Sequence, residues 1–499
     1  MVRCAMRGKR VFLERTGPQG YPEATDYFSP GEAYPEYPFD HISSKPNAVY
    51  QAVRSVFQHM RLDAEHFGTP EWNPLGEFVE PGQTVVVKPD LMQHFEAVAN
   101  IDCAVTHGSL IRAVLDYVYI ATQGRSPVIL GDAPLLGTDF GQAKAAAGWD
   151  QIQHFYGRRG IPLRTVDFRA VKNMSGRSGM LQVVEPVGKH EQCGHVEVVL
   201  DHLSLHHLAD GQWRTPLPSK RSMRALGAPH GNGRHTYLIA KPVLEADFVI
   251  NLPKLRTHCK AGMGGALENM VGINGHADFL PHDVARCTEQ DADAYASLSM
   301  FRSILSKVLF RKEPGRSTQV RRHESLSSSG EDVIDGILGS NPYRDGGWYG
   351  NDSMWRTILD MNRVLLYAGS YGRMSKIARP RKYLTIMDAV QAGQGEAPLE
   401  PIPARVGYVL AGRNPVSVDM LASLVVGFDY LKIPSIRNAF ALSSHPLVAF
   451  SAHQVKAILQ GELAEFEDIP GLLIRPTSGW RGHIELTAPR GYDRLEYEI

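Results

Sequence analysis

The sequence predicts an α/β protein: a mainly parallel, Rossmann-like sheet with helices on both faces, an antiparallel insertion and a small C-terminal α+β cap. Three observations predict it. Between residues 81 and 166 short apolar runs alternate with longer amphipathic stretches, the rhythm of β-α-β-α-β. The run Phe248–Leu252 is apolar almost throughout and short enough for a strand covered on both faces. Strand-like patterns return at 383–387 and 406–410, and a helical one follows at 416–426.

Taken in order, residues 1–45 are rich in Pro, Gly, Tyr and Glu without a sustained period. They read as an extended arm draped over the body, with Tyr21, Tyr27, Tyr34 and Tyr37 packing it down. A helix follows at 46–61, where Val49, Ala52, Val53, Val56 and Phe57 share one face. After the Pro81-Gly82 turn come a strand at 84–87, a helix at 110–120, a strand at 128–130, a helix at about 140–156 and a strand at 163–166. Right-handed crossovers make these strands parallel. Ligands of such sheets bind beyond the carboxyl ends of the strands, which selects Lys88, Asp90, Asp132, Asp167, Asn251 and Lys254.

The body spans 46–440, with inserted portions at about 170–235 and 298–350. The first is expected to be antiparallel, with His202, His206 and His207 on its surface because no metal-ligand spacing joins them. The second contains a basic stretch at 298–330 that reads as an amphipathic helix packed on the body, then a Ser-rich linker at 325–330. An unusual turn, Gly346 to Asp352, places Trp348 and Tyr349 between glycines, where they are expected to cover the site. Asp352 should cap a helix at 353–367, whose Asp352, Arg356, Asp360 and Arg363 form an exposed ladder of charges. Next come a strand ending at Asp388, a loop at 393–396 carrying Glu396, and the 416–426 helix with Asp419; residues 441–499 form the cap.

At 499 residues, 43% hydrophobic, with Lys+Arg and Asp+Glu equal at 53 each, the composition is that of a soluble globular protein. No global charge points to nucleic acid or to a membrane surface. The five cysteines, Cys4, Cys103, Cys193, Cys259 and Cys287, are far apart and form no CxxC pair, so no iron–sulfur cluster is expected and a reducing cytoplasm fits best. No apolar run is long enough to cross a bilayer.

The stretch 246–275 carries the chemistry. Pro253 removes an amide that a ladder would need, so the chain should leave the sheet there. Lys254, Arg256, His258 and Lys260 follow, then Gly262, Gly264 and Gly265 and a helix-like 266–270. Cations and free backbone amides at one turn suit an anion. The pattern is neither a Walker A loop nor a dinucleotide fingerprint, since no Gly-Lys-Ser/Thr follows and Leu267 stands where a third Gly belongs.

The run Asn251-Leu252-Pro253-Lys254-Leu255-Arg256-Thr257-His258, with Gly264-Gly265-Ala266-Leu267-Glu268-Asn269 and Gly272, resembles the signature of the domain of unknown function 362 family. Val85 to Asp90, Ile129 to Asp132, Met387-Asp388-Ala389 and Asn414 to Asp419 agree, so the resemblance covers about 80–440. The stretch from Gly347 to Tyr367 resembles a longer branch of that family. Relatives usually have Lys at the positions of Arg256 and Glu268 and commonly Asn at that of Asp90; some carry ferredoxin segments whose cysteine spacing this chain lacks. The resemblance implies no particular activity.

Two classes of function follow. In the first, the chain is an enzyme acting on a small carboxylate- or phosphate-bearing molecule at the carboxyl edge of the sheet. Lys88, Asp90, Asn251, Lys254, Arg256, Gly264, Gly265, Asn269 and Trp348 bind the substrate; His258 exchanges a proton, with Asp132 and Asp388 beside it. Asp132, Asp388 and Glu396 are the carboxylates suited to a divalent cation. In the second, it is a non-catalytic binding or assembly protein using the aromatic turn and the basic insertion.

Overall fold

A computed structural model describes residues 8–17, 20–92, 101–174, 183–187, 193–208, 212–214, 229–231, 233–281, 283–285, 346–377 and 381–487. The basic stretch 298–330, its Ser-rich linker, Cys4 and Cys287 lie outside these residues. One large mixed sheet dominates. Its strands, in chain order, are β1 (Arg10–Arg15), β2 (Val85–Pro89), β3 (Val128–Asp132), β4 (Arg164–Asp167), β5 (Phe248–Leu252), β6 (Lys254–His258), β7 (Gly262–Gly264), β8 (Lys382–Glu396), β9 (Glu400–Gly412), β10 (Lys456–Leu459) and β11 (Glu462–Ala464). Their order across the sheet is β11-β10-β1-β9-β8-β5-β2-β3-β4, and β6 adds to β8 and pairs with β7. The run β8-β5-β2-β3-β4 is parallel throughout, as the alternating pattern predicts.

Period-two geometry explains why these strands read as continuous apolar runs. Val85 and Val87 point to one face and Val86 to the other, as Phe248 and Ile250 oppose Val249. The first face is covered by α1 (Ala48–His59), α2 (Gly108–Thr122), α3 (Phe140–Ala146) and α4 (Trp149–Gly157). The helix expected at 140–156 is therefore two helices. Gly148, at φ +80° and packed against Phe28, takes a left-handed conformation between them. The short α5 (Lys241–Glu245) and part of α6 (Met354–Tyr367) lie on the second face, with an antiparallel sheet of His195–Val199, Arg234–Ala240 and His230–Gly231. Against the antiparallel half pack the rest of α6, α7 (Pro415–Val425) and α8 (Pro434–Ala441).

Several expectations are corrected. Pro253 does not eject the chain: β6 continues beside β8, with Lys254 opposite Asp388 and Arg256 opposite Gly393 across a shift in register. Pro253 stands between β5 and β6, and its carbonyl still serves the sheet, accepting from the Asp388 amide at 2.9 Å. Residues 393–396 are not a loop but the end of β8, paired with β9 as far as Glu396 opposite Glu400. The arm contributes β1, parallel to β10 and antiparallel to β9. Its four tyrosines pack against the core as expected. Residues 441–487 do not stand apart as a cap, because β10 and β11 belong to the main sheet and Ile474, Trp480 and Ile484 share a core with α6 and α7.

The expected exposed ladder is divided: Asp360 and Arg363 are buried, and Asp352 and Arg356 are half-buried. Asp360 accepts from Ser204 Oγ, Leu205 N and Tyr237 OH and pairs with Arg363 at 3.0 Å. Asn351, not Asp352, accepts from the first amides of α6, leaving Asp352 to bind Arg356 at 2.9 Å. His206, read as a surface residue, is fully buried, its ring 6.1 Å from His235 and 6.4 Å from His230.

Candidate functional site

Parallel strands end together, so β2, β3 and the β5–β6 junction deliver their last side chains to one edge. There Lys88 Nζ meets Asp132 Oδ1 at 2.7 Å and also donates to Asn269 Oδ1 and the Pro89 carbonyl. Asp132 further accepts from the Leu91 and Ala133 amides. Burial pushes its carboxyl up to about 6, against the pull of Lys88. Gly272 makes the close approach possible: a Cβ there would collide with Asp132 Oδ1 and Lys88 Nζ.

A second group lies beside this pair. Arg256 Nη2 reaches Asp90 Oδ2 at 3.2 Å and Glu268 Oε2 at 2.9 Å. Its Nη1 has no hydrogen-bond partner among the described residues, although the side chain is only 1% exposed. Burial raises the Asp90 carboxyl, more than Arg256 lowers it. His258 Nδ1 accepts from the Lys260 and Ala261 amides at 3.1 Å each, so the neutral ring carries its proton on Nε2, 3.6 Å from Glu268 Oε1. Burial, reinforced by Arg256 and Lys260, holds the imidazole well below its ordinary range. His258 Nε2 is thereby the nitrogen that carries the proton toward Glu268.

These residues line a cleft of about 250 Å³. Lys88, Asp90, Asp132, Arg256, His258 and Asn269 are on its walls, together with Arg169, Lys260 and Glu268. Arg169 is held by both oxygens of Asp167 and by three carbonyls, which accounts for Asp167 without a ligand. The apolar walls, among them Met92, Leu136, Val271, Leu280 and Met354, come from segments far apart in sequence, and no local motif announces them.

The remaining candidates sit elsewhere. Lys254 is fully buried against Asp388 at 3.2 Å, and Tyr21 of the arm bridges the two, accepting from Lys254 at 2.6 Å and donating to Asp388 at 2.5 Å. Asn251 lies beneath the cleft, donating to Ala266 O and Tyr383 OH and accepting from Asn269. The glycine turn does not offer its amides to a ligand. Asp419 of α7 already accepts from Ala266 N and Leu267 N, at 2.6 and 2.8 Å, and the absent side chain of Gly265 leaves room for that carboxylate. Gly264 makes room for the Arg256 guanidinium.

Asp132, Asp388 and Glu396 do not converge on a cation. Each has its own partner, Lys88, Lys254 and Ser478 respectively, and no group of three metal-ligating side chains occurs among the described residues. Trp348 is not on the cleft wall: its turn packs on the C-terminal segment, with Tyr349 stacked on His483 at 3.5 Å. Among the described residues no helix is long and apolar enough to cross a membrane.

The fold and cleft define an α/β protein with a polar-floored pocket at the carboxyl edge of its parallel strands. Residues 219–423 match the model of the family described as Domain of unknown function (DUF362). The match includes β5 to β7, Arg256, His258, Glu268 and Asp419, whereas Lys88, Asp90 and Asp132 precede it. No curated protein and no solved structure matches the chain significantly.

Proposed function

We propose that the chain is an enzyme acting on a small anionic molecule bound in this cleft, in the manner of Rossmann-like sheets that bind ligands beyond their strand ends. The observation that carries the reading is the gathering of Lys88, Arg256 and Lys260 on the walls of one cleft at the strand ends. Cations held at a cleft wall suit a carboxylate or phosphate oxygen. Asp132, held near 6 beside Lys88, has both protonation states within reach of neutral pH and is our candidate for proton transfer. The scattered cysteines support a cytoplasmic setting.

Native mass spectrometry of the purified full chain, followed by calorimetric titration of whatever anion it retains, tests the reading. Arg256→Lys keeps the charge but cannot serve Asp90, Glu268 and a ligand at once, so affinity should fall at least tenfold while the protein stays folded. Asp132→Asn should bind and fail to turn over. Unchanged affinity in Arg256→Lys would remove the basis of the proposal.

A further inference from the structure

We infer that the cleft selects a monocarboxylate with an apolar body of medium length, an eight-carbon fatty acid or an aryl-alkyl acid of similar bulk. This rests on the reading of Arg256 as the anion's partner and adds the class of molecule. Size is the first argument. A cavity of about 150 Å³ holds benzene, so 250 Å³ accommodates about ten non-hydrogen atoms, the count of octanoate.

The second argument is the division of the walls. Met92, Leu136, Val271, Leu280 and Met354 give the part of a ligand that lies against them nothing to hydrogen-bond. Leu135, also on the wall, is 40% exposed. A sugar phosphate or a small dicarboxylate would leave polar groups unsatisfied against these side chains, whereas an alkyl chain gains by leaving water.

Charge is the third. The Arg256 guanidinium has two carboxylate neighbours, Asp90 and Glu268, and Asp132 lies close by with Lys88. Lys88, Arg256 and Lys260 stand on the same walls as these three acids, so the charges balance and one added negative charge is admitted more readily than two. A phosphate dianion would meet repulsion from the same acids at short range in a poorly solvated site.

The test is calorimetric titration of the full chain at pH 7.5 with octanoate, octyl phosphate, 1-octanol and acetate. Octanoate should bind with micromolar affinity, octyl phosphate at least tenfold and the other two at least thirtyfold more weakly. Leu136→Asn, a neutral polar change at a half-buried wall position, should weaken octanoate at least tenfold and leave any acetate binding unchanged. If acetate binds as well as octanoate, the apolar selectivity is wrong while the Arg256 reading stands. Octyl phosphate equal to octanoate would overturn the monoanion argument alone. Should octanol match octanoate, or no anion of any length bind, the Arg256 reading falls too.

Discussion

Lys254 and Asp388 have no exposed side-chain surface, lie 3.2 Å apart and share the Tyr21 hydroxyl, so each charge depends on the others for its solvation. Removing one partner strands the other in the interior. Lys254→Met should therefore cost about 3–5 kcal/mol in urea denaturation. Tyr21→Phe, which deletes only the bridging hydroxyl, should cost about 1–3 kcal/mol. A loss below about 1 kcal/mol for Lys254→Met would mean that the pair is solvated after all. The sequence places Lys254 just past β5 but cannot say that the N-terminal arm, more than two hundred residues earlier, supplies the phenol that closes over it. Asp132 gives a different signature. Its folded carboxyl titrates near 6, above the ordinary 3.8, so the folded state holds that proton more tightly than the unfolded chain. Its contribution is full below about 4 and is lost as pH rises through 6. Asp132→Asn cannot titrate. The stability of that variant relative to wild type should rise by about 2–3 kcal/mol between pH 4 and 7, and a flat difference would show that burial does not raise the carboxyl.

At the scale of elements, the sequence leads one to expect the glycine turn after β7 to offer its amides to an anion. Its amides do bind a carboxylate, but the carboxylate is Asp419 from α7. Burial pushes that group up to about 7 even though two amides oppose the rise. Asp419→Ala should expose both amides, cost about 2–4 kcal/mol at roughly 1–2 kcal/mol per lost hydrogen bond, and leave a vacancy of carboxylate shape. Millimolar acetate should then raise the melting temperature of the variant more than that of wild type; equal responses would show that the turn collapses on itself. The parallel strands were legible because each is a short run buried on both faces, and so were the polar residues at their ends. Illegible were the pairings made at long range: β6 staying in the sheet past Pro253, and Glu396 turning to Ser478. The burial of Asp360 is another, since α6 alone shows charges at helical spacing and only the segment around Ser204 and Tyr237 covers them.

For the whole molecule the decisive feature is β1, which sits between β10 and β9 and so joins the C-terminal strands to the rest of the sheet. From sequence it is only three apolar residues, Val11, Phe12 and Leu13, in an aperiodic arm, yet none is more than 7% exposed. Burying each contributes about 1.5–3 kcal/mol, so the strand supplies roughly 5–9 kcal/mol. That is comparable with the 5–15 kcal/mol by which whole domains are stable. Deleting residues 1–16 should therefore abolish cooperative unfolding, whereas deleting residues 1–7 should leave the melting temperature within about 2 °C, because none of the removed residues belongs to β1. A peptide spanning residues 8–17, added in trans to the longer deletion, should restore both the cooperative transition and protection of the 456–459 amides from hydrogen exchange, since the ladders on either side would be re-formed. If the longer deletion melts cooperatively near wild type, β1 is an ornament on a sheet whose halves hold together without it, and the core shared by α6, α7 and the C-terminal strands is the stronger link.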